Sequence, residues 1–100
     1  MEDLVILENE KNIPIAFMGI EGNKPEMLFV KNSERGKGYD KSLLKYGIEN
    51  YFINELTVNE QNPKAKEFYE YMGFKEYKRT NLDEQENPYP IIYMKLDKTN

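Results

Sequence analysis

The residues Ser33-Glu34-Arg35-Gly36-Lys37-Gly38-Tyr39-Asp40-Lys41 have the types and spacing of an anion site. They follow an apolar run and open a helical pattern. Two glycines let the backbone approach a ligand closely, and the unbonded N–H groups at the start of a helix point at whatever sits there. From Lys31 to Lys45, the basic residues Lys31, Arg35, Lys37, Lys41 and Lys45 stand against only Glu34 and Asp40, a local net of +3 in a chain whose formal charge is −4. A focused phosphate pocket fits this balance better than a broad basic surface. Neither nucleotide fingerprint holds. The mononucleotide loop G-x-x-x-x-G-K-[ST] needs Gly where Asp40 stands, and G-x-G-x-x-G needs Gly where Lys41 stands.

Other chemistry is bounded by what the chain lacks. It has no His and no Cys, which removes the usual zinc ligand sets and the Ser-His and Cys-His nucleophile systems. No metal site is expected, and proton transfer falls to carboxylates, Tyr, Lys or the backbone. An excess of 18 acidic over 14 basic residues argues against general binding of nucleic acid or an anionic membrane. No apolar run reaches the roughly 18 residues of a membrane helix, and Met1-Glu2-Asp3-Leu4 lacks a secretory start, so a cytoplasmic location is expected.

The elements that must position the loop follow from periodicity. Leu4 to Leu7 reads as a strand, and a second strand starts near Ile13, where Ile13, Ile15 and Phe17 alternate with Pro14, Ala16 and Met18. Glu26 to Val30 reads as a third, with Glu26, Leu28 and Val30 on one face and Met27 and Phe29 on the other. From Tyr39 the period changes: Leu43, Leu44, Gly47, Ile48, Tyr51 and Phe52 make a helical stripe. Gly47 on that stripe implies close approach to the sheet. Glu55 to Asn59 is a short strand. Asn62-Pro63 opens a second helix that Gly73 ends, and Phe74 to Arg79 and Ile91 to Leu96 close the fold around the acidic loop Asn81 to Pro90. The polar tail Asp97 to Asn100 is expected to fray. The 100 residues make one α/β (α+β) domain, residues 1–100, of order βββαβαββ, with a mixed, largely antiparallel sheet of about six strands and two helices. A strand, crossover helix and strand should form a right-handed parallel unit with ligands at the strand C-terminal ends.

The ordered combination of Glu26-Met27-Leu28-Phe29-Val30, Arg35-Gly36-Lys37-Gly38-Tyr39, Val58-Asn59-Glu60-Gln61-Asn62, Ala65, Phe68-Tyr69 and Met72-Gly73-Phe74 resembles the GNAT superfamily of acyl-CoA-dependent N-acetyltransferases. The resemblance spans nearly the whole chain. Its most specific part is N-x-x-A-x-x-F-Y-x-x-x-G-F at Asn62 to Phe74. It implies transfer of an acetyl group from acetyl-CoA to a primary amine of a small molecule or peptide, by direct attack in a ternary complex. Arg35, Gly36, Lys37, Gly38, Tyr39 and Asp40, with Lys41, would hold the coenzyme A pyrophosphate. The backbone of Leu28, Phe29 and Val30 would pair with the pantetheine amides. Asn62 would contact the coenzyme, although capping its helix accounts for it equally well. Tyr69 would protonate the departing thiolate, the alternative being a buried structural Tyr. Phe68 and Tyr69 lie about 100° apart on the helix, so one of them can point at a cleft. Glu26 is the base candidate, the alternative being a solvated strand-edge carboxylate.

Two departures from the family pattern carry consequences. Asp40 stands where the family has Gly or Ala, which suits a helix N-terminus but repels a pyrophosphate unless Lys37 and Lys41 offset it. The chain also begins at the strand after the family's usual first strand and helices, so it is expected to be N-terminally shortened and to lack part of the acceptor wall. Two helices do not cover both faces of a six-stranded sheet. An exposed apolar face or an unpaired edge at Leu4 to Leu7 is therefore expected, and a homodimer would hide it. These departures keep open a second reading: a non-catalytic module that binds coenzyme A or a protein partner.

Overall fold

Strand-forming alternation and helical stripes produce the expected order. The computed structural model describes residues 3–97. Within it run β1 (Asp3–Glu8), β2 (Pro14–Glu21), β3 (Lys24–Val30), α1 (Tyr39–Tyr51), β4 (Glu55–Asn59), α2 (Pro63–Tyr71), β5 (Phe74–Thr80) and β6 (Ile91–Leu96), with a single 3-10 turn at Asn32–Glu34. The expected fraying fails at Asp97, whose N–H donates to the Gly73 carbonyl at 2.9 Å and whose carboxylate meets Lys75 Nζ at 2.8 Å. The rest of the tail, and Met1 and Glu2 of the secretory-start reading, lie outside the described residues.

The six strands form two three-stranded sheets, ordered β1-β2-β3 and β4-β6-β5. The parallel pair expected of β3 and β4 across α1 is not formed. β3 ends one sheet, β4 ends the other, and every ladder among the described residues is antiparallel. A crossover helix permits a parallel ladder without requiring one, and here β3 and β4 each pair along one side with an antiparallel neighbour. The chain accordingly divides into two compact units, one up to Asn54 and one from Glu55.

In the first unit, α1 covers the sheet face that carries Ala16, Met18 and Ile20. Leu43, Leu44 and Gly47 are its buried positions. Gly47 is there because there is no room for a side chain: a Cβ would stand 2.5 Å from Ile53 Cδ1 and 2.8 Å from Met18 Cε. The exit of α1 is fastened to the β2–β3 turn, where Asn23 Nδ2 donates to Asn54 Oδ1 at 2.6 Å. The opposite face of this sheet is apolar and open, as the small number of helices implied. Leu4, Ile6, Met27 and Phe29 are each about half exposed.

The second unit buries Leu56, Val58, Phe74, Ile92 and Met94. Asn62 and Pro63 start α2 as their types dictate, with Asn62 Oδ1 accepting the Ala65 N–H at 3.2 Å. Gly73, with φ of 101°, ends it in the left-handed conformation that a helix stop of this kind uses.

Candidate functional site

The first unit carries the glycine loop that the sequence marks as a candidate anion site. Gly36 and Gly38 both adopt left-handed backbone, with φ of 82° and 83°, and a Cβ at either would meet nothing. Glycine is therefore needed for conformation, and the loop surface is open where a ligand would lie. Gly38 is the N-cap of the 13-residue α1, and its carbonyl accepts the Ser42 N–H at 3.1 Å. The amides of Gly38, Tyr39 and Asp40 donate to no group among the described residues, so they and the helix dipole are available to an anion.

Asp40 does more than stand near this site. Its Oδ1 accepts the Lys41 N–H at 2.8 Å, so one first-turn donor is already taken by a carboxylate of the chain itself. Lys37 is likewise committed. Its ammonium lies 2.7 Å from Glu34 Oε2, and that hydrogen bond and charge raise the Lys37 pKa above its ordinary value. Arg35 is exposed, and its guanidinium pairs with no described side chain. The i,i+3 spacing of Glu34 and Lys37 is the sequence signal for the pair they form.

β3 leads directly into the loop and is a terminal strand of its sheet. The Lys31 N–H donates to the Ile15 carbonyl at 2.8 Å. Antiparallel alternation then turns the backbone of Phe29 and Met27 toward β2, and that of Leu28 and Val30 away from it. A ligand with amide groups can add to that outer edge as a further strand would. Glu26 is exposed, but the ladder steps from Gly19–Met27 to Ile20–Pro25, so Glu26 is the extra residue of a β-bulge and the alternation expected through Glu26, Leu28 and Val30 breaks at it.

The second unit carries Asn62 and Tyr69. Asn62 realises its capping role, which occupies Oδ1 and leaves its amide nitrogen exposed. Phe68 and Tyr69 are both partly buried, with ring centroids 5.3 Å apart, and Tyr69 meets Phe74 edge-on at 6.2 Å. Burial pushes the Tyr69 phenol above its ordinary pKa, so it holds its proton at neutral pH. Its hydroxyl has no hydrogen-bond partner among the described residues and is not sealed in the core.

One group of residues in this unit lay beyond what the sequence pattern showed. Arg79 Nη2 donates to Glu60 Oε1 at 2.9 Å, its Nε donates to Glu60 Oε2, and its Nη1 donates to Asn81 Oδ1 at 2.7 Å. The Glu60 N–H donates to the Pro90 carbonyl at 3.0 Å. Glu60 thus ties the turn before α2 to the end of β5 and to both ends of the acidic loop. The Arg79 guanidinium holds its carboxyl below the usual range. Nineteen residues separate the partners, so no local spacing announces the pair.

Among the described residues no group of acidic side chains could hold a metal ion, and no helix is long and apolar enough to cross a membrane. Comparison with known proteins finds the acetyltransferase (GNAT) domain model matching residues 2–98. The peptidyl-lysine N-acetyltransferase YjaB of Escherichia coli is 35% identical over 91 residues, which cover 89% of this chain and 60% of that protein. The apo-form solution structure of YjaB superposes with a TM-score of 0.82 at 30% identity, over 96% of this chain and 65% of that one. A putative streptothricin acetyltransferase from Bacillus anthracis, solved in complex with acetyl coenzyme A, shares the fold with a TM-score of 0.79 at 21% identity, over 93% of this chain and 60% of that one. This chain therefore spans about three fifths of the length of the curated relatives it matches.

Proposed function

The chain belongs to the GNAT acetyltransferases, and we propose that it transfers an acetyl group from acetyl-CoA to a primary amine, the side-chain amine of a peptidyl lysine or that of a small molecule. The observation that carries this reading is the loop in which two left-handed glycines open onto the unbonded amides of α1. It suits a pyrophosphate, and the outward backbone of Leu28 and Val30 suits the pantetheine amides. Arg35, Gly36, Gly38 and Tyr39 hold the donor's phosphates, with Lys37, Asp40 and Lys41 setting the local charge. Asn62 adds its amide nitrogen to the donor. Residues 1–100 act as one acetyltransferase domain.

In the transfer, the amine nitrogen forms a bond to the thioester carbonyl carbon as the carbon–sulfur bond breaks. Tyr69 gives its phenolic proton to the departing sulfur, and Glu26 takes the proton lost by the amine. A phenol kept protonated by burial fits the acid role. The name of the relative, peptidyl-lysine N-acetyltransferase, supports an amine acceptor. The same reading places the protein in the cytoplasm, working as a homodimer on a soluble acceptor rather than on nucleic acid or a membrane.

A second reading is favoured by Asp40, whose carboxylate takes the Lys41 amide, and by the Glu34–Lys37 pair. Both reduce what the loop offers a diphosphate, as in a module that binds coenzyme A or a protein without turnover. Steady-state kinetics of Tyr69→Phe with acetyl-CoA and a panel of lysine peptides, polyamines, amino acids and aminoglycosides tests the enzymatic reading. The acid role predicts a fall in kcat of about 100-fold or more with little change in the KM for acetyl-CoA. Equal loss of both, or unchanged turnover, contradicts it.

A further inference from the structure

Asn62 and Tyr69 both belong to α2, yet no side chain of that helix is fully buried. Packing fixes such a helix only loosely on its sheet, so the polar ties at its start carry more of its placement. Cross-strand register sets Leu56, Met94 and Glu76 in one row and Val58, Ile92 and Arg79 in the next row of the same face. α2 lies over this face, because its Lys66 Nζ meets Glu76 Oε1 at 3.5 Å. Arg79 therefore projects from the face that carries α2. From β5 it reaches past the central strand β6 to Glu60, just beyond the end of β4. The guanidinium holds both carboxylate oxygens of Glu60, and its remaining nitrogen donates to Asn81 Oδ1 at 2.7 Å.

What Glu60 holds is a turn with no slack. The amides of Glu60, Gln61 and Asn62 are all engaged, with the Pro90 carbonyl at 3.0 Å, Asn59 Oδ1 at 2.8 Å and the Asn59 carbonyl at 2.9 Å. Asn62 then accepts the Ala65 N–H on its side chain and the Lys66 N–H, at 3.3 Å, on its carbonyl. A displacement at Glu60 is passed to Asn62 and along the helix to Tyr69, about two turns further on.

We propose that Arg79, acting through Glu60, is the positioning residue of α2: its two-point grip fixes the turn that delivers the Asn62 amide nitrogen and, beyond it, the Tyr69 phenol. The roles of Asn62 and Tyr69 rest on the acetyltransferase reading, whereas the grip does not. Both partners are about 40% exposed, so the pair adds little to stability. Its contribution is direction, because a planar fork on a carboxylate is fixed at two points. A lysine ammonium is a point charge and fixes only one.

Nuclear magnetic resonance of Arg79→Gln, Glu60→Gln and the double variant tests the grip without turnover. Each single variant should move the Asn62 side-chain amide, the Ala65 N–H and the Tyr69 ring signals in the same direction, and the double variant should move them no further. Melting temperatures at pH 7 should stay within about 8 °C of wild type. With acetyl-CoA and an acceptor that wild type turns over, kcat should fall roughly 10- to 100-fold in each single variant and no further in the double. Arg79→Lys, which keeps the charge and loses the fork, should fall with them. Shifts confined to positions 60, 79 and 81 overturn the proposal. So do single-variant losses that multiply in the double, or an Arg79→Lys enzyme that works like wild type. If one single variant does not fold, the other decides on the same three signals. A wild type that turns over no acceptor removes the acetyltransferase reading, and the shifts then decide the grip alone.

Discussion

Replacing Asp40 separates two roles of one carboxylate at the α1 N-terminus. As a helix-start acid it stabilises the fold by about 0.3–1 kcal/mol. Alanine returns about 0.5 kcal/mol through better helix propensity, so the net stability change of Asp40→Ala is near zero. For ligand binding the terms do not cancel. The carboxylate sits on the first-turn amides, 2.8 Å from the Lys41 nitrogen, so a phosphate at the neighbouring amides lies about 5 Å away. One unit of repulsion at that distance, with an effective dielectric of about 40–80, is about 0.8–1.7 kcal/mol. Calorimetry with acetyl-CoA should therefore show roughly 4- to 16-fold tighter binding for Asp40→Ala. The gain should shrink at about 1 M salt, where the screening length falls to about 3 Å. Asp40→Asn separates the contributions, because it removes the charge and keeps an acceptor for the Lys41 N–H. Equal gains for Ala and Asn assign the effect to charge, and a larger gain for Ala assigns part of it to the freed amide. An unchanged Kd in both variants refutes the electrostatic reasoning and leaves Asp40 as a helix-start residue.

Two further perturbations test the framework that holds the loop and the turn before α2. Gly47→Ala gains about 1 kcal/mol of helix propensity but forces its Cβ onto Ile53 Cδ1 and Met18 Cε, both fully buried, at about 1–3 kcal/mol. Chemical denaturation should show a loss of about 1 kcal/mol, and a stabilised variant would mean that the neighbours have room to move. Glu60 titrates below an ordinary Glu because of Arg79. Its folded pKa is depressed, so the pair's contribution is present above the unfolded pKa and is lost as pH falls through the folded value. Melting temperature measured downward from about pH 5 should fall less steeply for Glu60→Gln than for wild type, and identical slopes would remove the pair from the acid response.

The strands, the helices and the position of the glycine loop were legible in the sequence because their signals are local. Alternation at Glu26 to Val30, the stripe from Leu43 to Phe52, and the stops at Asn62-Pro63 and Gly73 each occupy a few adjacent residues. The open apolar face was legible from a count of helices against strands. Strand partnership was not legible in the same way, because it is decided by backbone pairing across the fold. A crossover helix predicts a parallel pair, whereas β3 and β4 end separate antiparallel sheets. In the candidate site, the sequence marked Asp40 as anomalous but could not show that it bonds the Lys41 amide. It offered Lys37 as an offsetting charge, and the structure pairs that lysine with Glu34. Both outcomes turn on side-chain direction within a single turn, which residue type alone does not specify.

The central claim is that the glycine loop and the start of α1 receive the phosphates of acetyl-CoA. Titration of the chain with acetyl-CoA, followed by amide shifts, tests it most directly. The account predicts saturable binding below millimolar ligand, with the largest shifts at Gly36, Gly38, Tyr39 and Asp40 and at the outward amides of Leu28 and Val30. No binding at millimolar acetyl-CoA, or shifts confined to other parts of the chain, would contradict it.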